Sequence, residues 1–137
     1  MRESRVNDAS TDESAIIKLE VDSKYSREAT NPSVPRCCNS VDSEVPIEAR
    51  SVSLGCGSPI NHVKFHDGIT LVDLGCGGGV DVFAAANRLR SMKGKVIGID
   101  STMKMIARAR RAASQNNYTN VEFRLGELRT YLLKAKA

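Results

Sequence analysis

The chain has 137 residues, of which 41% are hydrophobic and 4% aromatic, so it can form one domain at most. Its net charge is +4, because residues 1–50 carry 7 basic and 10 acidic side chains and residues 51–137 carry 13 and 6. No apolar stretch approaches membrane-spanning length, and the N-terminus resembles neither a signal peptide nor an acid-poor transit peptide. These features exclude a membrane protein and predict a soluble cytoplasmic protein with reduced thiols.

The first third of the chain shows little periodic pattern. Residues 1–44 begin as a polar, charged stretch and continue as one rich in Ser, Pro and Asn, which predicts a flexible, largely irregular segment. A short helix over Ala15–Tyr25 is the regular element expected there. The adjacent Cys37 and Cys38 lie in the irregular part, and the folded domain is predicted to comprise residues 45–137.

Two short features precede the first predicted strand. Glu44–Ser53 is predicted to hold a short helix with Pro46 in its first turn, where the missing N–H of proline removes no hydrogen bond. Ser53–Pro59 reads SLGCGSP and predicts a tight turn, in which Cys56 is a turn residue rather than a ligand.

The two histidines do not predict a metal site. His62 and His66 are four residues apart, but the neighbouring Phe65 and Gly68 indicate the edge of a loop rather than a helix. No cysteine stands at a finger-like distance from either histidine, and Cys37-Cys38 lacks the C-x-x-C spacing. We therefore expect no bound metal.

From Ile69 onward the pattern alternates between strands and helices, which predicts an α/β fold with a parallel sheet. The predicted elements are, in order, Ile69–Leu74 (strand), Val80–Leu89 (helix), Lys95–Asp100 (strand), Thr102–Gln115 (helix), Val121–Leu125 (strand) and Glu127–Lys136 (helix). Apolar stripes are expected at Val82, Phe83, Ala86 and Leu89 on the first helix and at Met103, Ile106, Ala109 and Ala113 on the second.

Much of the positive charge falls on that second helix, at Lys104, Arg108, Arg110 and Arg111. No aromatic side chains are interleaved with these residues, so a solvated helix face is favoured over a surface for nucleic acid. We expect no nucleic-acid partner.

Three alternating glycines, Gly75, Gly77 and Gly79, join the first strand to its helix. Glycines at such a junction allow a tight turn and a close backbone approach, and the following helix presents free N–H groups. The dinucleotide fingerprint G-x-G-x-x-G fails, because Val80 occupies its last position. The pattern present is Asp73-x-Gly-x-Gly-x-Gly, which is consistent with a loop that binds a nucleotide. The alternative interpretation is a tight strand-to-helix turn that binds no ligand.

Asp100 is the second feature that favours a ligand. It ends the second predicted strand about twenty residues beyond the glycines, where a carboxylate can accept hydrogen bonds from ribose hydroxyls. The alternative is that it caps the following helix, although Ser101 or Thr102 could serve there equally well. The loop and the acid together favour nucleotide binding.

From Cys37 to Leu128 the chain resembles the arsenite methyltransferases, a family within the class I methyltransferases that use S-adenosylmethionine. The stretch SLGCGSP at 53–59 is the distinctive part of the match. The other matching stretches are Tyr25-Ser26, Cys37-Cys38, VPIEA at 45–49, DLGCGGGVD at 73–81, VIGID at 96–100 and NVEFRLGE at 120–127.

The resemblance implies a Rossmann-like class I methyltransferase sheet and S-adenosyl-L-methionine as cofactor. It places Asp73 near the methionine amino group, Gly75 and Gly77 near the methionine backbone, and Asp100 at the ribose. It further implies that Met103 or Glu127 flanks the adenine. The full set of implied cofactor contacts is Asp73, Gly75, Cys76, Gly77, Asp100, Ser101, Met103 and Glu127. The thiol of Cys76 itself is predicted to be structural, because small residues are usual in such a loop.

The resemblance also implies methyl transfer to trivalent arsenic, presented as arsenite or its thiol conjugate, with a thiol reductant as a further partner. Cys37 and Cys38 are the candidate arsenic ligands, because their loop is polar and expected to be exposed. Thiolates suit As(III) because soft metal centres prefer sulfur. An inert pair of loop cysteines is the alternative interpretation.

Members of this family continue beyond the point where the match fades, near Arg129. The sequence therefore predicts the N-terminal half of the family's sheet, with three parallel strands, as in a truncated member. Ile69–Leu74 would then be an exposed edge, so we expect marginal stability, self-association through that edge, and turnover of arsenite far slower than in longer relatives. The alternatives are a non-catalytic fragment that binds cofactor or arsenic and a different small-molecule methyltransferase.

Overall fold

A computed structural model describes residues 44–52 and 59–135. The elements are α1 (Ile47–Arg50), a 3-10 turn (Pro59–His62), β1 (Thr70–Leu74), α2 (Val80–Leu89), a 3-10 turn (Arg90–Met92), β2 (Lys95–Asp100), α3 (Met103–Gln115), β3 (Val121–Leu125) and α4 (Leu128–Ala135). The predicted alternation of strands and helices from Ile69 onward is confirmed. The predicted helix Ala15–Tyr25, the pair Cys37-Cys38 and most of the SLGCGSP turn lie outside the described residues.

The strands form one parallel sheet in the order β1-β2-β3, so β2 is central. Asp73 of β1 stands beside Gly98 of β2, which stands beside Phe123 of β3. Helices α2 and α3 pack on one face of the sheet and bury the main apolar cluster against it. This arrangement follows from right-handed crossovers between parallel strands, which return each helix to the same side.

The core lies between α2 and the sheet. The ring of Phe83 is 4.7 Å from the ring of Tyr118 and 5.5 Å from that of Phe123, measured between centroids. Gly98 permits this approach, because a Cβ there would lie 2.9 Å from Cys76 Sγ, Phe123 Cδ1 and Val82 Cγ2. The apolar stripe predicted for α2 is confirmed, and Ala84 and Ala85 are buried as well.

The stripe predicted for α3 is wrong at one position. Ile106, Ala109 and Ala113 are buried as expected, but Met103 is 69% exposed and Met105 is buried instead. Met103 is the first residue of the helix, whereas Met105 packs in a small cluster with Val52, which follows α1. A periodic pattern within one helix does not reveal a neighbour that arrives from another part of the chain.

The basic face of α3 is only partly a solvated surface. Arg110 donates through Nε and Nη2 to the carbonyl of Phe123, at 3.1 and 2.7 Å. Arg108 is half-buried and donates through Nε to the carbonyl of Glu48, at 2.7 Å. Two of the four basic residues therefore fasten α3 to neighbouring backbone, and Arg108 is half-buried whereas Lys104, Arg110 and Arg111 are exposed as expected of a solvated face.

On the second face of the sheet, the side chains of β1 are exposed among the described residues, whereas Ile99 of β2 is buried. Val72 and Leu74 of β1 are 49% and 43% exposed, and within residues 44–52 and 59–135 β1 pairs with β2 alone. Glu122 forms ion pairs with Lys95 and Arg124. In the part of the chain described here, no helix is both long and apolar enough to span a bilayer.

Candidate functional site

The glycine loop between β1 and α2 has a backbone that requires glycine at alternate positions. The φ angles of Gly75, Gly77 and Gly79 are +80°, +52° and +91°, all in the left-handed region. A residue with a Cβ is strained in this region, so the spacing read from the sequence corresponds to a real conformational requirement.

These glycines differ in what surrounds them. A Cβ on Gly75 or Gly77 would meet no atom within 4 Å, whereas a Cβ on Gly79 would lie 2.8 Å from Phe123 Cζ. Gly79 is therefore also required for packing under α2. Gly75 and Gly77 instead have open space where a side chain would lie, and their N–H groups donate to the Ile99 carbonyl and to Asp100 Oδ2.

Asp100 at the end of β2 fastens the loop through its carboxylate. Its Oδ2 accepts a hydrogen bond from the Gly77 N–H at 2.9 Å, and its Oδ1 accepts one from the Thr102 N–H at 2.8 Å. Thr102 is the N-cap residue of α3, so Asp100 supports the helix start as well as the loop. A carboxylate has about four acceptor positions, and two hydrogen bonds leave room for further donors.

Backbone hydrogen bonds draw the three strand ends together. The N–H groups of Gly75 and Cys76 both donate to the carbonyl of Ile99, at 2.7 and 3.0 Å. The N–H of Gly126 donates to the carbonyl of Asp100 at 2.9 Å. The loop after β1 and the turn after β3 are thus both held against the end of β2.

A cleft of about 90 Å³ opens at this edge of the sheet. It is lined by Leu74, Gly75, Ile99, Asp100, Ser101, Gly126 and Leu128. The carboxyl ends of parallel strands are where open α/β sheets bind ligands. Sequence reasoning missed Leu74, Ile99, Gly126 and Leu128 as lining residues, although their positions at or just beyond strand ends could have indicated them.

Acidic side chains gather around the loop. Burial, followed by the charges of Asp81 and Asp100, raises the pKa of Asp73 from 3.8 to about 6. Burial also raises the pKa of Asp81. Because carboxylates close together repel one another, this site favours a ligand that brings positive charge.

Cys76 has an unreactive environment. It is buried, and its Sγ lies 3.7 Å from the carbonyl of Gly77 in a donor geometry. Burial, with the charges of Asp73 and Asp100, raises the pKa of its thiol well above the ordinary range. The thiol therefore stays protonated and packs as a small apolar group, as expected for a structural cysteine.

The structure brings part of the predicted site together. Asp73, Gly75, Cys76, Gly77, Asp100 and Ser101 all lie at the carboxyl ends of β1 and β2. Gly75, Asp100 and Ser101 line the cleft, whereas Asp73, Cys76 and Gly77 do not. Met103 begins α3, Glu127 is exposed before α4, and neither lines the cleft. Their proposed contacts with adenine stay predictions, as do the ligand roles of Cys37 and Cys38, which lie outside the described residues. Over residues 44–52 and 59–135, no group of three or more His, Cys, Asp or Glu side chains is placed to hold a metal ion.

Similarity to known proteins agrees with this geometry. Residues 65–136 match a family model described as a methyltransferase domain. An arsenite methyltransferase of Halobacterium salinarum is 43% identical over 81 residues, which are 59% of this chain and 20% of that protein. An uncharacterized 37.1 kDa protein from a Streptomyces fradiae transposon is 42% identical over 67 residues, or 49% of this chain and 19% of that protein.

Among solved structures, an arsenic(III) S-adenosylmethionine methyltransferase from Chlamydomonas reinhardtii, CrArsM, superposes with a TM-score of 0.56 at 30% identity. The match covers 75% of this chain and 35% of that one, and the chain spans about a fifth of the curated relatives. The resemblance to arsenite methyltransferases and the Rossmann-like fold are thereby confirmed. Because the family model covers more than half of the sequence, the chain belongs to the methyltransferase-domain family.

Proposed function

We propose that this domain binds S-adenosylmethionine and belongs to an enzyme that methylates trivalent arsenic. The observation that carries the proposal is the glycine loop fastened to Asp100, with open space beside Gly75 and Gly77. The identity of 43% to an arsenite methyltransferase directs the choice of substrate. The loop offers room for the cofactor, because a Cβ on Gly75 or Gly77 would meet no atom within 4 Å and Gly75 lines the cleft.

Each part of the site has a role in this proposal. Asp100 accepts hydrogen bonds from ribose hydroxyls, and the backbone of Gly75 and Gly77 receives the amino-acid part of the cofactor. Asp73 balances the positive charge of the methionine amino group. When bound, S-adenosylmethionine supplies a methyl group on a sulfonium, which is an electrophile. The protein contributes by holding donor and acceptor in line.

The arsenic acceptor is held by thiolates. Cys37 and Cys38 would supply sulfur ligands to As(III), whose lone pair would form the bond to the methyl carbon while the carbon–sulfonium bond breaks and S-adenosylhomocysteine leaves. Arsenic becomes formally pentavalent in this step, and a thiol reductant would return it to the trivalent state. A small-molecule thiol reductant accompanies the reaction. Cys76 takes no part in this chemistry, because its thiol is buried and its pKa is raised.

The exposed edge of β1 is suited to pairing with a second copy of the chain. Val72 and Leu74 present apolar side chains beside backbone groups that have no strand partner among residues 44–52 and 59–135. By contrast, Arg110 covers the outer carbonyl of Phe123 on β3. An uncovered apolar edge favours pairing with another strand.

Replacing Asp100 tests cofactor binding. Asp100→Ala removes an acceptor for ribose and the anchor of Gly77, so we expect the binding free energy of S-adenosylhomocysteine to fall by about 1.5–3 kcal/mol. Isothermal titration calorimetry measures the change, with the exposed Asp67→Ala as the matched control. Equal affinity in the wild type and Asp100→Ala would show that Asp100 does not contribute to binding. Failure of the wild type to bind S-adenosylhomocysteine would contradict the proposal itself.

Replacing Asp73 separates stability from binding. The folded pKa of about 6 exceeds the unfolded value of 3.8, so the folded state is favoured below pH 4 and loses this advantage as the pH rises through 6. The side chain in Asp73→Asn cannot ionise. At pH 7.5 the free energy of unfolding of this variant should therefore exceed that of the wild type by up to about 3 kcal/mol. Urea unfolding should show this gain disappearing near pH 4.

The same Asp73→Asn variant should bind S-adenosylhomocysteine more weakly, because it has lost the charge that faces the amino group. Calorimetry at pH 7.5 measures this effect on the variant that urea unfolding shows to be more stable. A variant that is no more stable than the wild type at pH 7.5, or that binds equally well, would contradict the assigned role of Asp73.

Thiol titration tests the arsenic ligands. Loss of free thiol on adding phenylarsine oxide should be strongly reduced in Cys37→Ser and in Cys38→Ser, because each removes one sulfur of the pair. Cys76→Ser serves as the matched control and should titrate like the wild type, since that thiol is buried and protonated. If Cys76→Ser alone abolished the reaction, the placement of arsenic at Cys37 and Cys38 would be wrong.

Light scattering tests self-association. The wild-type chain should have a mass greater than one copy, and Val72→Lys should shift it toward the monomer because charge on an exposed strand opposes pairing. Leu133→Lys, at an exposed leucine of α4, is the control and should leave the mass unchanged. A monomeric wild type at the same concentration would refute association through β1.

A further inference from the structure

Gly78 is a glycine for a different reason from its neighbours in the loop. The positive-φ glycines of the loop are Gly75, Gly77 and Gly79, and Gly78 is not one of them. A Cβ on Gly78 would instead lie 2.4 Å from Val52 Cγ2 and 3.4 Å from the carbonyl of Ala49. The outer side of the loop is therefore in close contact with the residues around α1.

These residues, Glu44–Val52, form a short segment that we call the α1 segment. Val45, Ala49 and Val52 are buried, although the helix itself has only four residues. Val52 packs on Met105 of α3 as well as on Gly78. The segment is thus inserted between the glycine loop and α3.

Arg108 of α3 fastens the α1 segment in place. Its Nε donates to the carbonyl of Glu48 at 2.7 Å, and its Nη2 donates to Ser51 Oγ at 2.8 Å. Ser51 Oγ in turn donates to the carbonyl of Glu48 at 3.2 Å. At the other end of the segment, the carbonyl of Glu44 lies 3.4 Å from the hydroxyl of Tyr118, whose proton is donated to Asn87 Oδ1 at 2.9 Å. Hydrogen bonds from α3 therefore hold the part of the segment from Glu48 to Ser51, and burial of Val45 holds its beginning.

We propose that the α1 segment positions the glycine loop for the cofactor, and that Arg108 and Val52 act as positioning residues through Gly78. This inference rests on the proposed binding of S-adenosylmethionine. The loop would receive the ligand on its inner side, at Gly75 and Gly77, while its outer side is braced by Val52. A loop of glycines gains order from such a brace, because glycine has the greatest backbone freedom to lose.

The effect should be confined to one half of the ligand. Although Gly75 of the loop also lines the cleft, its residues Asp100, Ser101, Gly126 and Leu128 lie at or just beyond the ends of β2 and β3, and no residue of the α1 segment lines it. They would bind the adenosine half, whereas the loop would bind the amino-acid half. Loss of the brace should therefore weaken the binding of S-adenosylhomocysteine more than the binding of 5′-methylthioadenosine, which lacks the amino acid.

Arg108→Met provides the first test, since it keeps the aliphatic stem and removes the donors. We expect about tenfold weaker binding of S-adenosylhomocysteine, equivalent to about 1.4 kcal/mol, and binding of 5′-methylthioadenosine within about twofold of the wild type. Arg108→Lys keeps one donor group and should recover part of the loss. Arg111→Met, at an exposed position of the same helix, is the matched control and should bind both ligands normally.

A double-mutant cycle provides the second test and avoids Arg108. Gly78→Ala should weaken S-adenosylhomocysteine about tenfold, because the new Cβ collides with Val52 Cγ2. In a Val52→Ala background that Cγ2 is absent, so the same substitution should have little further effect. The coupling between the two positions, measured by calorimetry on variants shown by circular dichroism to be folded, reports the contact directly.

Selective weakening of S-adenosylhomocysteine and a non-additive cycle would support the proposal. Equal weakening of both ligands, or additive effects of Gly78→Ala and Val52→Ala, would overturn it and reduce the α1 segment to a general contribution to stability. If the wild type bound neither ligand, the proposed function would fall together with this inference. Normal binding in the wild type and in every variant would overturn the inference alone.

Discussion

The site depends on the carboxylate of Asp100, which accepts hydrogen bonds from the N–H groups of Gly77 and Thr102. These two bonds tie the loop after β1 and the start of α3 to the central strand of the sheet. The carbonyl of the same residue accepts from Gly126, so the turn after β3 joins them. One residue thus gathers the ends of three strands, and the cleft exists because they meet there. Side chains at strand ends are well suited to this role, since the sheet fixes their position.

The same site carries an electrostatic cost. Burial and neighbouring carboxylates raise the pKa of Asp73 to about 6, which means that its charge is disfavoured in the folded protein. Such a cost is common where a protein keeps a charged group for binding rather than for stability. A cofactor that carries an ammonium and a sulfonium would offset the repulsion that Asp81 and Asp100 exert on Asp73. In this account the acids are arranged for the ligand-bound state.

Local patterns in the sequence predicted the elements and the glycine loop well. The β-branched runs fixed the strands, and the alternating spacing of Gly75, Gly77 and Gly79 corresponds to three left-handed backbone positions. The helical pattern of α3 wrongly predicted that Met103 is buried. It did not reveal the hydrogen bonds of Arg108 and Arg110 to distant backbone. These features depend on residues far apart in sequence, such as Val52 against Gly78, and no periodicity within one segment encodes them. The family resemblance, rather than the pattern, directed the choice of arsenic as substrate.

The central claim is that the glycine loop and the end of β2 bind the cofactor. Titration of ¹⁵N-labelled protein with S-adenosylhomocysteine, followed by NMR, tests it most directly. The account predicts saturable shifts in the amide signals of Gly75, Gly77 and Ser101, with little change at Lys95 and Glu122 near the amino ends of β2 and β3. Saturable shifts confined to residues away from the strand ends, or no shifts at millimolar ligand, would contradict it.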